Sequence, residues 1–145
     1  MLGAVVLSTN QGLGFLAKAF YDHGVVQKVL IKPHGSRTNH PEWFPNGKIL
    51  HKDNYDWFFE GLNGVIYFEE PFEWKLLIEA RQRQVKNILM PMYECTRYPF
   101  PYEPDLLLCP SKLDYDFYKG KKRELVTIPV EVSWKRRKRA KVFVH

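Results

Sequence analysis

The fold of this 145-residue chain is decided near its amino terminus by the stretch Gly3-Ala-Val-Val-Leu-Ser-Thr-Asn-Gln-Gly-Leu-Gly-Phe-Leu-Ala-Lys-Ala-Phe-Tyr-Asp-His-Gly24. Its apolar run, Ala4–Leu7, is short and β-branched, which is typical of a buried strand. The segment Gln11-Gly12-Leu13-Gly14 predicts a tight turn, and an amphipathic helix follows at once. Gly24 is the expected helix stop, because glycine readily adopts the left-handed conformation. The stretch therefore predicts a strand, a glycine loop and a helix.

Three interpretations of the glycine loop are open from the residues alone. It can be a plain strand-to-helix turn, because glycine permits sharp changes of backbone direction. It can be a dinucleotide site, because Gly12, Gly14 and Ala17 satisfy the pattern G-x-G-x-x-G/A. It can be the first loop of a sugar-nucleotide enzyme, in which the free N–H groups at the helix start favour a phosphate.

The second predicted strand, Lys28–Ile31, discriminates between nucleotide ligands. NAD sites place an acidic residue at the end of this strand to hold the ribose. Here the chain continues with Lys32-Pro33-His34, so NAD is disfavoured. NADP stays compatible through Lys32 or Arg37, and an NADP-dependent reductase domain is therefore one alternative function.

Strands alternate with helices along the rest of the chain, which predicts an α/β fold. The expected architecture is a Rossmann-like three-layer α/β/α sandwich with a mainly parallel sheet. Further strands are expected at 48–50, 64–68, 86–90, 105–109 and 125–128, and helices at 55–61, 72–84 and 112–118. Residues 1–133 are expected to form this domain. Residues 134–145 are expected to be a basic linker and the start of a crossing strand or second domain.

Polar residues follow several of the predicted strands and should therefore gather at one edge of the sheet. Glu69, Glu70 and Glu94 are candidates for acid–base chemistry or for hydrogen bonding to hydroxyls. Glu69 or Glu70 can equally serve only to favour the N-terminus of the next helix. Ser111 lacks the flanking glycines of a nucleophile elbow, and capping a helix is its better role.

No metal is expected. The long polar loop at 33–47 carries His34 and His40, whose spacing fits no common ligand pattern. No cysteine or paired acid accompanies these histidines. Cys95 and Cys109 are the only cysteines, and either is expected to be an inert, buried or half-buried thiol.

The positive charge is local. The chain carries 22 Lys and Arg against 16 Asp and Glu, a net charge of +6, and the segment Lys135–Lys141 holds six of the positive residues. Because the remainder is neutral overall, a nucleic-acid partner is not indicated. The cluster is either a solvated linker or a contact for phosphates or an anionic membrane. A flavodoxin-like binding module that uses this basic tail is the non-enzyme alternative.

The expected location is the cytoplasm. Contact of the basic cluster with an anionic membrane would place the chain at the inner face of that membrane. The first residues lack the basic region of a secretion signal and run straight into the glycine loop. No apolar run approaches the ~20 residues needed to span a bilayer. Two thiols in such a chain are typical of a reducing compartment.

Four segments carry a resemblance to a known family: Gly12-Leu-Gly-Phe-Leu-Ala-Lys-Ala-Phe20, Val65-Ile-Tyr-Phe-Glu69, Asn87-Ile-Leu-Met-Pro-Met-Tyr-Glu94 and Pro104-Asp-Leu-Leu-Leu-Cys-Pro-Ser111. In this order they resemble the amino-terminal domain of GT-B glycosyltransferases, particularly the retaining group that includes glycogen synthases and bacterial mannosyltransferases. The resemblance implies transfer of a sugar from a nucleotide-sugar co-substrate to a hydroxyl acceptor, with no other cofactor.

The resemblance also implies which residues bind substrates. Gln11, Gly12 and Gly14 would lie near the donor phosphates or the transferred sugar, and the His34 loop, Glu69 and Glu94 would line the acceptor side. The full expected set is Gln11, Gly12, Leu13, Gly14, His34, Glu69, Tyr93, Glu94 and Ser111. The family holds its donor nucleotide mainly in a carboxyl-terminal domain that these 145 residues do not contain. The chain is therefore expected to be inactive alone and to need that domain or a partner chain.

Overall fold

The computed structural model describes residues 1–7, 12–32, 41–45, 47–49 and 55–126. In chain order its elements are β1 (Leu2–Leu7), α1 (Gly12–Asp22), β2 (Lys28–Lys32), a 3-10 helix (Pro41–Trp43), β3 (Gly47–Ile49), α2 (Asp56–Phe59), β4 (Gly64–Phe68), α3 (Lys75–Gln82), β5 (Lys86–Met90), β6 (Leu106–Cys109), α4 (Lys112–Phe117) and β7 (Arg123–Leu125). The strands form one seven-stranded sheet in the order β3-β2-β1-β4-β5-β6-β7. Every neighbouring pair is parallel.

Alternate residues of the central strands supply two apolar cores, one on each face of the sheet. The first core joins Val5 and Tyr67 of the sheet to Phe58 of α2 and Leu77 of α3. The second core contains, among others, Val6, Ile31, Ile66, Met90 and, from α1, Ala17 and Phe20. Every residue of β4 is buried, as expected for a strand covered on both sides. The three-layer, Rossmann-like α/β sandwich predicted from the sequence is confirmed.

The predicted glycine turn is wrong in one respect. Gly12, Leu13 and Gly14 belong to the first turn of α1 and do not form the loop that precedes it. Gly14 is buried. The left-handed Gly24, with φ of 73°, follows the end of α1 as predicted.

The other differences concern element ends. The helix expected from residue 72 begins only at Lys75. The turn before it has 3-10 hydrogen bonds between residues i and i+3, such as that from the Leu76 N–H to the Glu73 carbonyl (3.1 Å). Strands β4 and β5 have the predicted bounds. The last strand among the described residues covers Arg123–Leu125, so it begins earlier than the predicted 125–128, of which residues 127 and 128 lie outside the described part of the chain. The basic segment 134–145 lies outside the described residues.

Among the described residues, no helix combines the length and the apolar character needed to cross a bilayer.

Candidate functional site

The switch point of the sheet lies between β1 and β4. From β1 the chain proceeds outward through β2 to β3, and it then returns to β4 on the other side of β1. The two strands run in register from Leu2 opposite Gly64 to Val5 opposite Tyr67, so they end side by side. In open parallel sheets the loops that follow such strands diverge and leave a crevice that binds ligands.

The first wall of this crevice is the amino-terminal turn of α1. Its leading backbone N–H groups have no partner within the helix, which favours an anion at this end. The Leu13 side chain is partly buried and packs against the core beneath the helix. Leu13 therefore supports the turn from below, and Gly12 offers only backbone to a ligand, whereas Gly14 is buried. Gln11 and His34, also expected here, lie outside the described residues.

The second wall begins with Glu69, which follows β4 directly. Its backbone is left-handed, with φ of 66°, a conformation that costs a non-glycine residue about 1 kcal/mol or more. Two hydrogen bonds hold it: the Glu69 N–H donates to the Met90 carbonyl (2.8 Å), and the Thr96 hydroxyl donates to the Glu69 carbonyl (2.7 Å). Strained residues that are held in this way are typical of functional sites.

Thr96 joins the loops that follow β4 and β5. Its side chain is buried, and its hydroxyl also accepts a hydrogen bond from the Met92 N–H (2.9 Å). A second link runs from the Arg97 N–H to a Glu70 carboxylate oxygen (2.5 Å). These bonds join the two loops at the carboxyl edge of the sheet. We call the joined segments, residues 69–71 and 91–97, the ledge.

Asp114 extends this ledge to the loop after β6. It is buried, and one carboxylate oxygen accepts from the Tyr93 N–H (2.8 Å) while the other accepts from the Ser111 hydroxyl (2.6 Å). The Asp114 N–H donates in return to the Ser111 hydroxyl (3.1 Å) and so caps α4, the role that the sequence favoured for Ser111. The Tyr93 ring stacks on Phe117 of the same helix, with centroids 5.1 Å apart.

The ledge is acidic. Burial, and then the neighbouring Glu70, raise the pKa of the half-buried Glu69 carboxyl above its usual value. The exposed Cys95 also has a raised pKa, first through partial burial of the thiol and then through the charges of Glu69, Glu94 and Glu70. A hydrogen bond to the Glu94 carboxylate raises the pKa of the Tyr93 hydroxyl. Three carboxylates therefore act on one small region.

The structure thus brings Glu69, Tyr93, Glu94 and Ser111 to the carboxyl edge that the sequence predicted, over β4, β5 and β6. Two residues that organise this edge were missed, Thr96 and Asp114. Asp114 carried a signal, because Ser111 with an acidic residue three positions later is a helix-capping pattern. Thr96 carried none, since its hydroxyl reaches the Glu69 carbonyl, 27 residues away in sequence, only in the folded sheet.

Within residues 1–7, 12–32, 41–45, 47–49 and 55–126, no three His, Cys, Asp or Glu side chains group in a way that could hold a metal ion. Comparison with protein-family models, curated proteins and solved structures found no match to this chain. The chemistry of the ledge and of the α1 turn is therefore the basis for an assignment of function.

Proposed function

We propose that this chain is the acceptor-side domain of a GT-B glycosyltransferase, which moves a sugar from a nucleotide-sugar to a hydroxyl acceptor. One observation carries the proposal: the amino-terminal turn of α1 and the strained, half-buried Glu69 stand on adjoining strands at the switch point of a parallel sheet. The turn of α1 favours a phosphate or a developing negative charge, and the Glu69 carboxylate favours a hydroxyl.

The two walls suit the two substrates. Donor phosphates lie at the α1 turn, where Gly12 lets a ligand approach the backbone. The acceptor lies along the ledge, where carboxylates at Glu69 and Glu94 accept hydrogen bonds from its hydroxyls. Catalytic assistance is positional and electrostatic, from oriented N–H groups across the crevice. A second nucleotide-binding domain, in the same polypeptide or in a partner chain, holds most of the donor.

An NADP-dependent reductase domain is the second candidate, and Lys32 favours it. Lys32 ends β2, the position that faces the adenosine ribose in dinucleotide-binding sheets of this strand order. Its ammonium lies 5.5 Å from the centre of the Phe72 ring, beside the crevice.

The test is a transfer assay on the native gene product purified from its source cells. UDP-, GDP- and ADP-sugars labelled in the sugar serve as donors, an extract of the same cells supplies acceptors, and NADPH oxidation is followed in parallel. We expect label in an acceptor fraction and no consumption of NADPH. Gly12→Val should abolish transfer, because a branched side chain closes the approach to the α1 turn.

Glu60→Gln is the matched control, since Glu60 is an exposed glutamate after α2, away from the carboxyl edge. Circular dichroism shows whether each variant is folded. The reductase would be established if the wild-type protein oxidised NADPH and transferred no sugar, and if Gly12→Val abolished that oxidation. Normal sugar transfer by a folded Gly12→Val variant would refute the assignment of the α1 turn.

A further inference from the structure

The surface beside the acidic ledge is aromatic. Tyr98 and Phe117 are 44% and 48% exposed, and their ring centroids are 5.7 Å apart. Tyr93 stacks on Phe117 and carries the interaction with Glu94. We name Tyr93, Glu94, Tyr98 and Phe117 the aromatic–acid surface. Adjacent exposed aromatic rings form a contiguous apolar surface, and such surfaces are candidates for binding sites.

Buried rings hold this surface in place. Tyr118 is fully buried, and its ring meets Phe117 at 4.9 Å and Tyr98 at 5.4 Å, both edge to face. Phe100 stacks on Tyr118 at 5.6 Å from below. The exposed rings therefore pack on buried aromatic side chains. Their side-chain conformations are already fixed, so a ligand would lose little binding free energy in ordering them.

The charge of this surface disfavours an anionic ligand. The loops at 69–71 and 91–98 carry Glu69, Glu70 and Glu94 against the single cation Arg97. Lys121 approaches the Tyr98 ring to 5.9 Å, but Glu103 pairs with it at 2.8 Å. A nucleotide or an acidic glycan would thus meet a net negative field.

We propose that the aromatic–acid surface binds a pyranose ring of a neutral saccharide. The C–H face of such a ring packs on Tyr98 and Phe117, and its hydroxyls donate hydrogen bonds to the Glu94 carboxylate and to the Tyr93 oxygen. A purely apolar partner would displace water from the Glu94 carboxylate and supply no hydrogen-bond donor beyond the Tyr93 hydroxyl, which makes it the poorer occupant. That this saccharide is the acceptor of sugar transfer rests on the function proposed above.

The experiment is a titration of the whole chain with three neutral hexasaccharides, namely maltohexaose, cellohexaose and mannohexaose, followed by the aromatic NMR signals. At roughly 10 mM, which saturates a millimolar site, we expect at least one of them to shift the Tyr98 and Phe117 signals. Tyr98→Ala and Phe117→Ala should weaken this binding about tenfold or more. Phe117→Tyr keeps the ring and should keep the binding.

Phe15→Ala is the matched control, because Phe15 is 53% exposed on α1 and its ring contacts Trp43 at a tilt, away from this surface. It should bind the hexasaccharide as the wild type does. No shift with any of the three sugars would overturn the proposal. A change of sedimentation on Phe117→Ala, with no sugar binding by the wild type, would overturn it in favour of a protein interface.

The transfer assay separates this inference from the proposed function. Sugar binding at Tyr98 and Phe117 by a gene product that transfers no sugar would leave the inference standing and remove the proposed function. Unchanged transfer by folded Tyr98→Ala and Phe117→Ala variants, which bind no hexasaccharide, would place the acceptor elsewhere and refute only its assignment to this surface.

Discussion

Tyr67 and Tyr118 each have a buried hydroxyl, and the two hydroxyls differ in whether they form a hydrogen bond among the described residues. The Tyr67 hydroxyl donates to the Asn87 side-chain carbonyl (2.9 Å), and the Asn87 amide donates in turn to the Leu77 carbonyl (2.9 Å). Burial, and then Asp105, raise the pKa of Tyr67. The Tyr118 hydroxyl is also buried, but it has no hydrogen-bond partner among the described residues. The first hydroxyl should stabilise the fold and the second should not.

We therefore predict opposite outcomes for one chemical change. Tyr67→Phe should cost about 1–3 kcal/mol, because it strands the buried carbonyl oxygen of Asn87. Tyr118→Phe should be neutral or stabilising, because it removes a hydroxyl that is buried without a partner. Urea unfolding of both variants measures the difference. An equal loss in the two would mean that Tyr118 has a partner outside the described residues.

Glu69 makes the stability of the chain depend on pH. Its folded-state pKa is raised, so the folded state binds a proton more tightly than the unfolded state does. Stability should then fall as pH rises from the usual glutamate pKa, about 4.3, through the higher folded value. Glu69→Gln imitates the protonated form and should raise the melting temperature at pH 7 but not at pH 4. Glu60→Gln should show no such difference between the two pH values.

Cys95 reports the acidic field of the ledge. Because Glu69, Glu94 and Glu70 help to raise its pKa, removing one of these charges should increase the thiolate fraction at pH 8. Glu69→Gln and Glu94→Gln should therefore speed alkylation of Cys95 by iodoacetamide. Rates equal to that of wild type in both variants would show that the carboxylates do not act on this thiol.

At the scale of elements, α2 depends on one close approach. Phe58 of this four-residue helix packs against Gly3 of β1. Lys28 of β2 donates to the carbonyl of Trp57 within the helix and to that of Glu60, which caps its carboxyl end (2.9 Å each). A cation at a helix carboxyl end is favourable. Gly3 leaves the space for Phe58, because a Cβ at this position would lie 2.9 Å from the end of the Phe58 ring.

Gly3→Ala should thus destabilise the chain by about 1–3 kcal/mol through overpacking against α2. A Cβ at Gly3 would also lie 2.7 Å from the Leu62 side chain, so two neighbours must move. Gly64→Ala on the adjoining strand is the control, since its nearest contact is the flexible end of Leu2 at 3.0 Å. Thermal unfolding should rank Gly3→Ala as clearly the less stable; the reverse order would contradict this packing.

At the scale of the whole molecule, the two thiols distinguish the surface from the core. Cys109 is fully buried in the core that contains α2 and α3, and burial raises its pKa to about 11. Cys95 is exposed. We predict that a disulfide reagent titrates one thiol in the native protein at pH 8 and both in urea. Rapid native reaction of Cys109 would show that this core opens locally without global unfolding.

The pattern of residues along the chain was enough to predict the fold class, the strands β4 and β5 and the edge to which the polar residues belong. Short apolar runs indicate buried strands, and the carboxyl ends of parallel strands lie at the same edge of the sheet. The hydrogen bonds and ring contacts that build this edge became visible only in the folded chain. The bonds from Thr96 to Glu69, from Asp114 to Tyr93 and the approach of Tyr98 to Phe117 join residues about 20 or more apart in sequence. No local pattern encodes such contacts, because they exist only once the sheet has brought the loops together.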